Sequence, residues 1–385
     1  MLGGLLLGKS GGGPGSSKSG SLAALQRRLP VIEQRVQDIR QRGFRTPLAA
    51  TVVTGARARQ AGLADLDRVE PRPEQAADQQ LLRMLGLIPA QANLRAIQAS
   101  IYEDQVAGYY DPHTKRLALV RDATGSSEAI AEITLAHELT HALDDQVFGL
   151  HDTSGATSDR SLAYTALVEG DATLAMSQYA QRYISGSGLL GAALSSSSGS
   201  STASLPPYVE SSLEFPYLNG ESFVSALYDV AKGWKLVDFA FEHRPPVSTE
   251  QVIHPLKYEA DEKPLPVSLN VAPLLPGWQR TMFTTLGEFV TEQLLQQHRV
   301  PRDVAERAAA GWGGDHAELW QSGRQSVLVA RWRWDSLQDA VEFEDALRSV
   351  RFSLPSAIDV GDGVVTLALA PTAAQAQSLV PVPSP

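Results

Sequence analysis

His137, Glu138 and His141 stand in the run His-Glu-Leu-Thr-His, two imidazoles four positions apart with a carboxylate beside the first. On an α-helix, positions i and i+4 lie one turn apart on one face, so both rings can offer a nitrogen to a single ion. Imidazole is a preferred zinc ligand, and zinc lowers the pKa of a bound water to about 7. Glu138 stands where it can take the proton of such a water. Residues of these types at this spacing suit hydrolysis by a metal-activated water.

A catalytic zinc usually takes three protein ligands and leaves the fourth position to water, so a third ligand is required. The form with a third histidine soon after the second does not fit, because the chain continues Ala-Leu-Asp-Asp-Gln-Val-Phe-Gly-Leu-His151, and His151 reads as a loop residue. There is no cysteine, which excludes thiolate ligands, a cysteine nucleophile and disulfides. The third candidate is Glu169. Within Ser161–Met176, Leu162, Ala166, Glu169, Thr173 and Met176 share one helical face, which sets a carboxylate in an otherwise apolar stripe. A carboxylate buried in such a stripe needs a cation.

Periodicity locates the elements that must position these groups. Ser127 to Gln146 contains no Gly or Pro, opens on an N-cap serine and carries Glu128 in its first turn. Ile130, Ile133 and Ala136/His137 continue one stripe, so the imidazoles extend an inward-facing seam. Gly170 costs a helix about 1 kcal/mol relative to Ala, and its place beside Glu169 predicts close approach of the two metal-bearing helices. Upstream, residues 105–120 read as two strands around an Asp-Pro turn, a hairpin with His113 solvated in the turn.

Over about residues 102–180 the chain resembles the gluzincin metallopeptidases, in which a helix bearing His-Glu-x-x-His is followed by a second helix that supplies a glutamate ligand. Position by position, His137, His141 and Glu169 match the ligands and Glu138 the general base. The interval from 141 to 169, 28 positions, is longer than in thermolysin-like members and within the variation among gluzincins. The resemblance implies a zincin-like catalytic fold, one Zn2+ ion and a peptide or protein substrate. In such folds a strand just before the metal helix often forms the edge on which an extended substrate lies. Tyr109 and Tyr110 are then candidates for the cleft wall, with ordinary strand packing as the alternative. More loosely, Gly108-Tyr-Tyr-Asp-Pro, Ala166-Leu-Val-Glu-Gly-Asp-Ala, Pro246-Val-Ser-Thr-Glu-Gln-Val-Ile-His-Pro and Gly311-Trp-Gly-Gly-Asp are similar to motifs of bacterial proteins related to these peptidases. They name no substrate.

Metal-bound histidines usually give their other ring N–H to a carboxylate or carbonyl. Asp144 and Asp145, three and four residues beyond His141, and Asp171, two beyond Glu169, are the candidates. His254, before Pro255, is a catalytic candidate that would stabilise the oxyanion of a tetrahedral intermediate; the alternative is a helix-terminal histidine bonded to backbone. Tyr217 and Tyr258 are weaker candidates for the same task. Gly311 to Asp315 reads as a turn of positive φ beneath a packed Trp312.

The expected fold class is α+β. A mainly helical zincin-like catalytic domain with an edge β-hairpin covers 101–260, and a small α+β subdomain covers 261–385, with a helix near Thr284–Gln297, strands around Glu318–Trp320, Ser326–Trp334 and Gly363–Leu369, and a helix over Ser336–Arg348. Residues 21–100, with a strand at Thr51–Thr54 and a helix through Leu81–Leu85, form a supporting or prosegment-like subdomain. Residues 1–20 are a Gly/Ser-rich leader expected to be disordered, and Ser185–Ser204 reads as a flexible loop.

In 385 residues, 43% hydrophobic and 20% charged, there is room for two or three domains of a soluble protein. The net charge of -10 carries no basic stripe, which argues against a nucleic-acid partner. Arginines are densest from Arg27 to Arg45, but Glu33 and Asp38 interrupt them and the segment reads as an ordinary amphipathic face. No transmembrane run of about 18 apolar residues occurs, and the Leu5–Leu7 patch lacks the leading charge and the length of a signal. Cytoplasmic and exported locations suit these residues equally, and oligomeric state leaves no signature in them. Two functions compete: zinc-dependent peptide-bond hydrolysis, and a zinc-stabilised binding or regulatory protein on an inactive peptidase fold. Glu138 favours the first, since a structural site has no use for it; hydrolysis of a non-peptide amide suits the same residues.

Overall fold

Apolar side chains recur at Leu25, Leu29, Ile32, Val36 and Ile39, and this stripe buries one face of a long N-terminal helix. The computed structural model describes residues 2–5, 18–104, 106–120, 128–151, 153–186 and 205–380. The chain runs β1 (Leu2–Leu5), α1 (Lys18–Arg40), β2 (Ala50–Val53), α2 (Gly55–Val69), α3 (Arg72–Met84), α4 (Leu94–Asp104), β3 (Val106–Asp111) and β4 (Arg116–Val120). Of the expected leader, residues 2–5 form a strand and 18–20 open α1, while 1 and 6–17 lie outside the described residues. The N-cap expected at Ser127 and the loop over 187–204 also lie outside them.

The hairpin is present: β3 pairs antiparallel with β4, with Tyr110 opposite Leu117 and Gly108 opposite Leu119. Asp111 closes its turn by accepting from His113 N and Thr114 Oγ1, which leaves His113 exposed as expected. Its expected place at a sheet edge is not observed. The four-stranded sheet has the order β1-β3-β4-β2, so both flanks of the hairpin are paired, antiparallel to β1 and parallel to β2. Strand edges present unpaired N–H and C=O groups, and residues 2–5 and 50–53 take them up. Strand alternation sends Tyr110, Leu117 and Leu119 into the main core, while Tyr109, Ala118 and Val120 pack with Ala58 of α2.

Helices α5 (Glu128–Phe148), α6 (Ser158–Tyr183), α7 (Pro207–Ala231), α8 (Lys235–Glu242), α9 (Thr249–Ile253) and α10 (Pro255–Glu259) follow. Helix α1 packs across α5 and α6, and the β3–β4 hairpin lies on α5. The second sheet is built from β5 (Gln279–Thr284), β6 (Trp312–Ser322), β7 (Gln325–Trp334), β8 (Ser356–Gly361) and β9 (Val364–Leu369) in the order β5-β6-β7-β9-β8, antiparallel throughout. Strands β5 and β8 join those legible in the sequence. One face of this sheet, through Leu328, Ala330 and Trp332, meets the core shared with α11 (Gly287–Gln297), α12 (Arg302–Ala309) and α13 (Leu337–Ser349). The other, through Val327 and Val329, packs under α14 (Ala373–Leu379).

Of the turn expected over Gly311–Asp315, only Gly311 has a positive φ, +78°; Trp312 to Asp315 are already strand β6, where Trp312, without exposed surface, donates Nε1–H to Asp315. Mixed helix and sheet make the protein α+β, with the largest hydrophobic cluster drawing on residues of 21–100, 101–260 and 261–385 alike, from Leu25 to Leu369. Among the described residues no helix is long and apolar enough to cross a membrane.

Candidate metal centre

Of the seam predicted for α5, Ile130 and Ala136 are buried and Ile133 is half-buried, and His137, Glu138 and His141 are at most 2% exposed. Their helical spacing brings the two imidazoles edge to face, centroids 4.6 Å apart, with Nε2 of one 3.1 Å from Nε2 of the other. From α6, Glu169 Oε2 reaches His137 Nε2 at 3.1 Å and His141 Nε2 at 3.3 Å. Burial alone would raise the Glu169 carboxyl, but the charges and hydrogen bonds of the two imidazoles outweigh it and hold the group down at about 2.

This group fits a metal ion. Donor atoms about 2.0–2.2 Å from a tetrahedral zinc are separated from each other by roughly 3.3 Å. The three edges observed here, 3.1, 3.1 and 3.3 Å, approximate one face of that tetrahedron. Two neutral imidazoles and one carboxylate are a hard-to-borderline donor set suited to zinc and to other first-row divalent ions. Both Nδ1 atoms are buried without a hydrogen-bond partner among the described residues, so the rings meet at Nε2 with no competing commitment on the other nitrogen.

Glu138 turns toward the hairpin. A side-chain carbon on Gly108 would lie 3.5 Å from Glu138 Cγ and 3.1 Å from Ala118 O, so the bare glycine backbone of β3 is what passes beside this glutamate. On the far side, Tyr217 of α7 stacks on His137 with centroids 6.1 Å apart. Helix α7 reaches this position because α6 and α7 touch backbone to backbone. A Cβ on Gly170 would lie 2.2 Å from the Gly220 carbonyl, and one on Gly220 would lie 2.2 Å from Ala166 O. The close approach predicted at Gly170 therefore exists, but with α7 and not with the metal helix α5.

The acids expected behind the histidines have other partners. Asp145 accepts from Tyr110 Oη at 2.7 Å and from Lys115 Nζ at 2.7 and 2.9 Å. Asp144 and Asp171 both face the guanidinium of Arg40. Tyr109 and Tyr110 are buried in packing. Loop residue His151 stacks on Tyr164, and Tyr258 gives its hydroxyl to the Arg244 carbonyl at 2.7 Å.

His254 caps the junction of α9 and α10, and its Nε2 lies 2.8 Å from Glu288 of α11. The hydrogen bond to Glu288 raises the imidazole above its ordinary range, outweighing burial. Its observed bond is to this carboxylate, not to the three converging groups.

Arg40 escaped the sequence reading, which placed it on an ordinary amphipathic face. Its signal was present: it follows Val36 by four residues on the stripe of Leu29, Ile32 and Val36, a charge on an apolar seam, as Glu169 is.

A family model described as a domain of unknown function (DUF8575) matches residues 278–377, the region of the second sheet, and leaves the metal centre outside it. No curated protein matches the chain. Among solved structures, a candidate hydrolase with a novel fold from Chloroflexus aurantiacus is similar with a TM-score of 0.45 and 17% identity, covering 65% of this chain and 93% of that one. A likeness of this degree carries no function from one chain to the other.

Proposed function

We propose that the protein is a zinc-dependent hydrolase of peptide bonds, a metallopeptidase of gluzincin type. The observation that carries this reading is the convergence of His137 Nε2, His141 Nε2 and Glu169 Oε2 within 3.3 Å of one another in a buried cluster, with Glu138, also buried, next to His137 in the chain. His137, His141 and Glu169 would hold the ion, which supplies Lewis acidity and a water acidified to near neutrality. Glu138 takes the proton of the attacking water and returns it to the leaving amine. Tyr217, against His137, is the tyrosine of the pair weighed from sequence that lies beside the ligands. The oxyanion role expected of His254 is not carried into this reading, because Glu288 takes its Nε2. An extended substrate pairing with β3 would require residues 2–5 to leave that edge.

The test is a paired measurement of bound metal and cleavage of a peptide library. Glu138→Gln is expected to keep full metal occupancy and to lose about 10²–10⁴-fold in turnover, the range of general-base removal. Glu169→Ala is expected to lose the metal. Equal turnover in the natural protein and Glu138→Gln at full occupancy would leave the zinc-stabilised binding protein as the better reading; unchanged occupancy in Glu169→Ala would remove the third ligand.

A further inference from the structure

The carboxylates nearest the metal-ligand candidates share a single cation. Arg40 ends α1 and has no exposed surface. Its Nε lies 3.0 Å from Asp171 Oδ2, and its Nη2 lies 3.3 Å from Asp144 Oδ1 and 3.2 Å from Asp238 Oδ1. The guanidinium carbon sits 4.1 Å over the ring of Trp234, and Trp234 Nε1 donates to the Ile39 carbonyl at 2.7 Å, so stacking and a backbone bond hold the fork in place. Asp144 stands three residues beyond His141 on α5, Asp171 two residues beyond Glu169 on α6, and Asp238 on α8. One guanidinium therefore lies within ion-pair distance of a carboxylate beside a candidate ligand on each of the two helices that must meet, and of a third carboxylate on α8.

We propose that Arg40 is the positioning residue of the metal centre: by pairing with Asp144 of α5 and Asp171 of α6 it sets the spacing of the two helices at which His141 and Glu169 meet. This rests on the metal-centre reading above. A planar fork with fixed donor directions can span two carboxylates on different helices, which a lysine ammonium cannot do with defined geometry. Stability alone does not account for it, because a buried ion network is often no more stabilising than apolar residues of equal volume. Asp144 and Asp171 lie within hydrogen-bond reach of each other as well as within ion-pair distance of Arg40, so the guanidinium is the cation set against two neighbouring acids, one from each ligand-bearing helix. One consequence concerns organisation: a segment that supplies Arg40 cannot be removed as a prosegment without leaving Asp144, Asp171 and Asp238 buried around no cation.

The experiment compares the full-length natural protein with Arg40→Lys, Arg40→Met and the double variant Arg40→Met/Asp238→Asn. Zn2+ dissociation constants come from chelator competition, the visible spectrum from Co2+ substitution, and thermal midpoints from circular dichroism. Arg40→Met is expected to weaken zinc by tenfold or more and to alter the Co2+ bands, within the range for residues that orient metal ligands. Arg40→Lys keeps the charge without the fork and is expected to fold, with zinc affinity reduced at least threefold; it decides the matter if Arg40→Met does not fold. The double variant relieves the excess negative charge, so its thermal midpoint should recover while its zinc affinity stays low. Natural affinity and spectrum in Arg40→Lys, or recovery of affinity together with the midpoint in the double variant, would overturn the positioning role. A natural protein that takes up no zinc would overturn the metal-centre reading itself and this inference with it.

Discussion

At the scale of single residues, the clearest pH dependence belongs to Asp159, buried at the start of α6. Burial raises its carboxyl to about 7, outweighing the hydrogen bonds it accepts from Thr249 N at 2.8 Å and Thr249 Oγ1 at 2.6 Å; Asp315 and Glu288 raise it further. A folded-state pKa above the ordinary 3.8 means that the fold favours the protonated acid. The stabilisation is complete below about pH 4 and is lost as pH rises through about 7. Asp315, raised to about 6, acts in the same direction. The unfolding midpoint is therefore expected to fall between about pH 4 and 7 and to level off above, and Asp159→Asn, which keeps an acceptor oxygen without the charge, should flatten that fall. Calorimetry at several pH values checks it, and an unchanged slope would remove Asp159 from the account. Chemistry at this scale was partly legible. Glu169 was recognisable as a carboxylate in an apolar stripe, whereas the destinations of Asp144, Asp145 and His254 depended on Arg40, Lys115 and Glu288, none of them a near neighbour in sequence.

Among the elements, the crossing of α6 and α7 controls the site most directly, because Gly170 adjoins Glu169 and Gly220 lies three residues from Tyr217. The 2.2 Å separations built for a Cβ at either glycine leave no room for a side chain. Gly220→Val is expected to cost about 1–3 kcal/mol or more, the range of overpacking, and to weaken metal binding by displacing α6. Ser222→Ala, exposed on the same helix, should change stability by no more than about 0.5 kcal/mol. Urea unfolding with metal titration separates the two; equal effects would place the sensitivity elsewhere. Residue periodicity located α5, α6 and the β3–β4 hairpin because helix and strand periods are local properties. It did not identify which element pairs with which: that Gly170 faces α7, and that β1 and β2 flank the hairpin, are choices among surfaces far apart in the chain.

For the whole molecule, the shared core has a measurable consequence. Residues 25–39 of α1, the β3–β4 hairpin, α5, α6 and the second sheet contribute to one continuous cluster, and Arg28 and Arg35 of α1 pair with Glu132 of α5. Removal of residues 1–100 is therefore expected to yield a chain that neither unfolds cooperatively nor holds metal, while the intact protein unfolds in a single transition led by this core. Calorimetry and metal analysis of both check it; a truncated chain that folds and binds zinc would restore the prosegment reading of residues 21–100. The sequence by itself determined the candidate ligand pair and the candidate base, since three residues on one helix are related by the helical repeat alone, and it singled out Glu169 because a charge in an apolar stripe demands a partner. Only the tertiary structure decided that Glu169 meets both imidazoles, that Arg40 faces Asp144 and Asp171, that α7 closes against α6 at two glycines, and that β1 pairs with the strand beside Glu138. Those outcomes are set by side-chain volume and charge matched across distant segments, and no local pattern in a single chain records which distant segment will be the match.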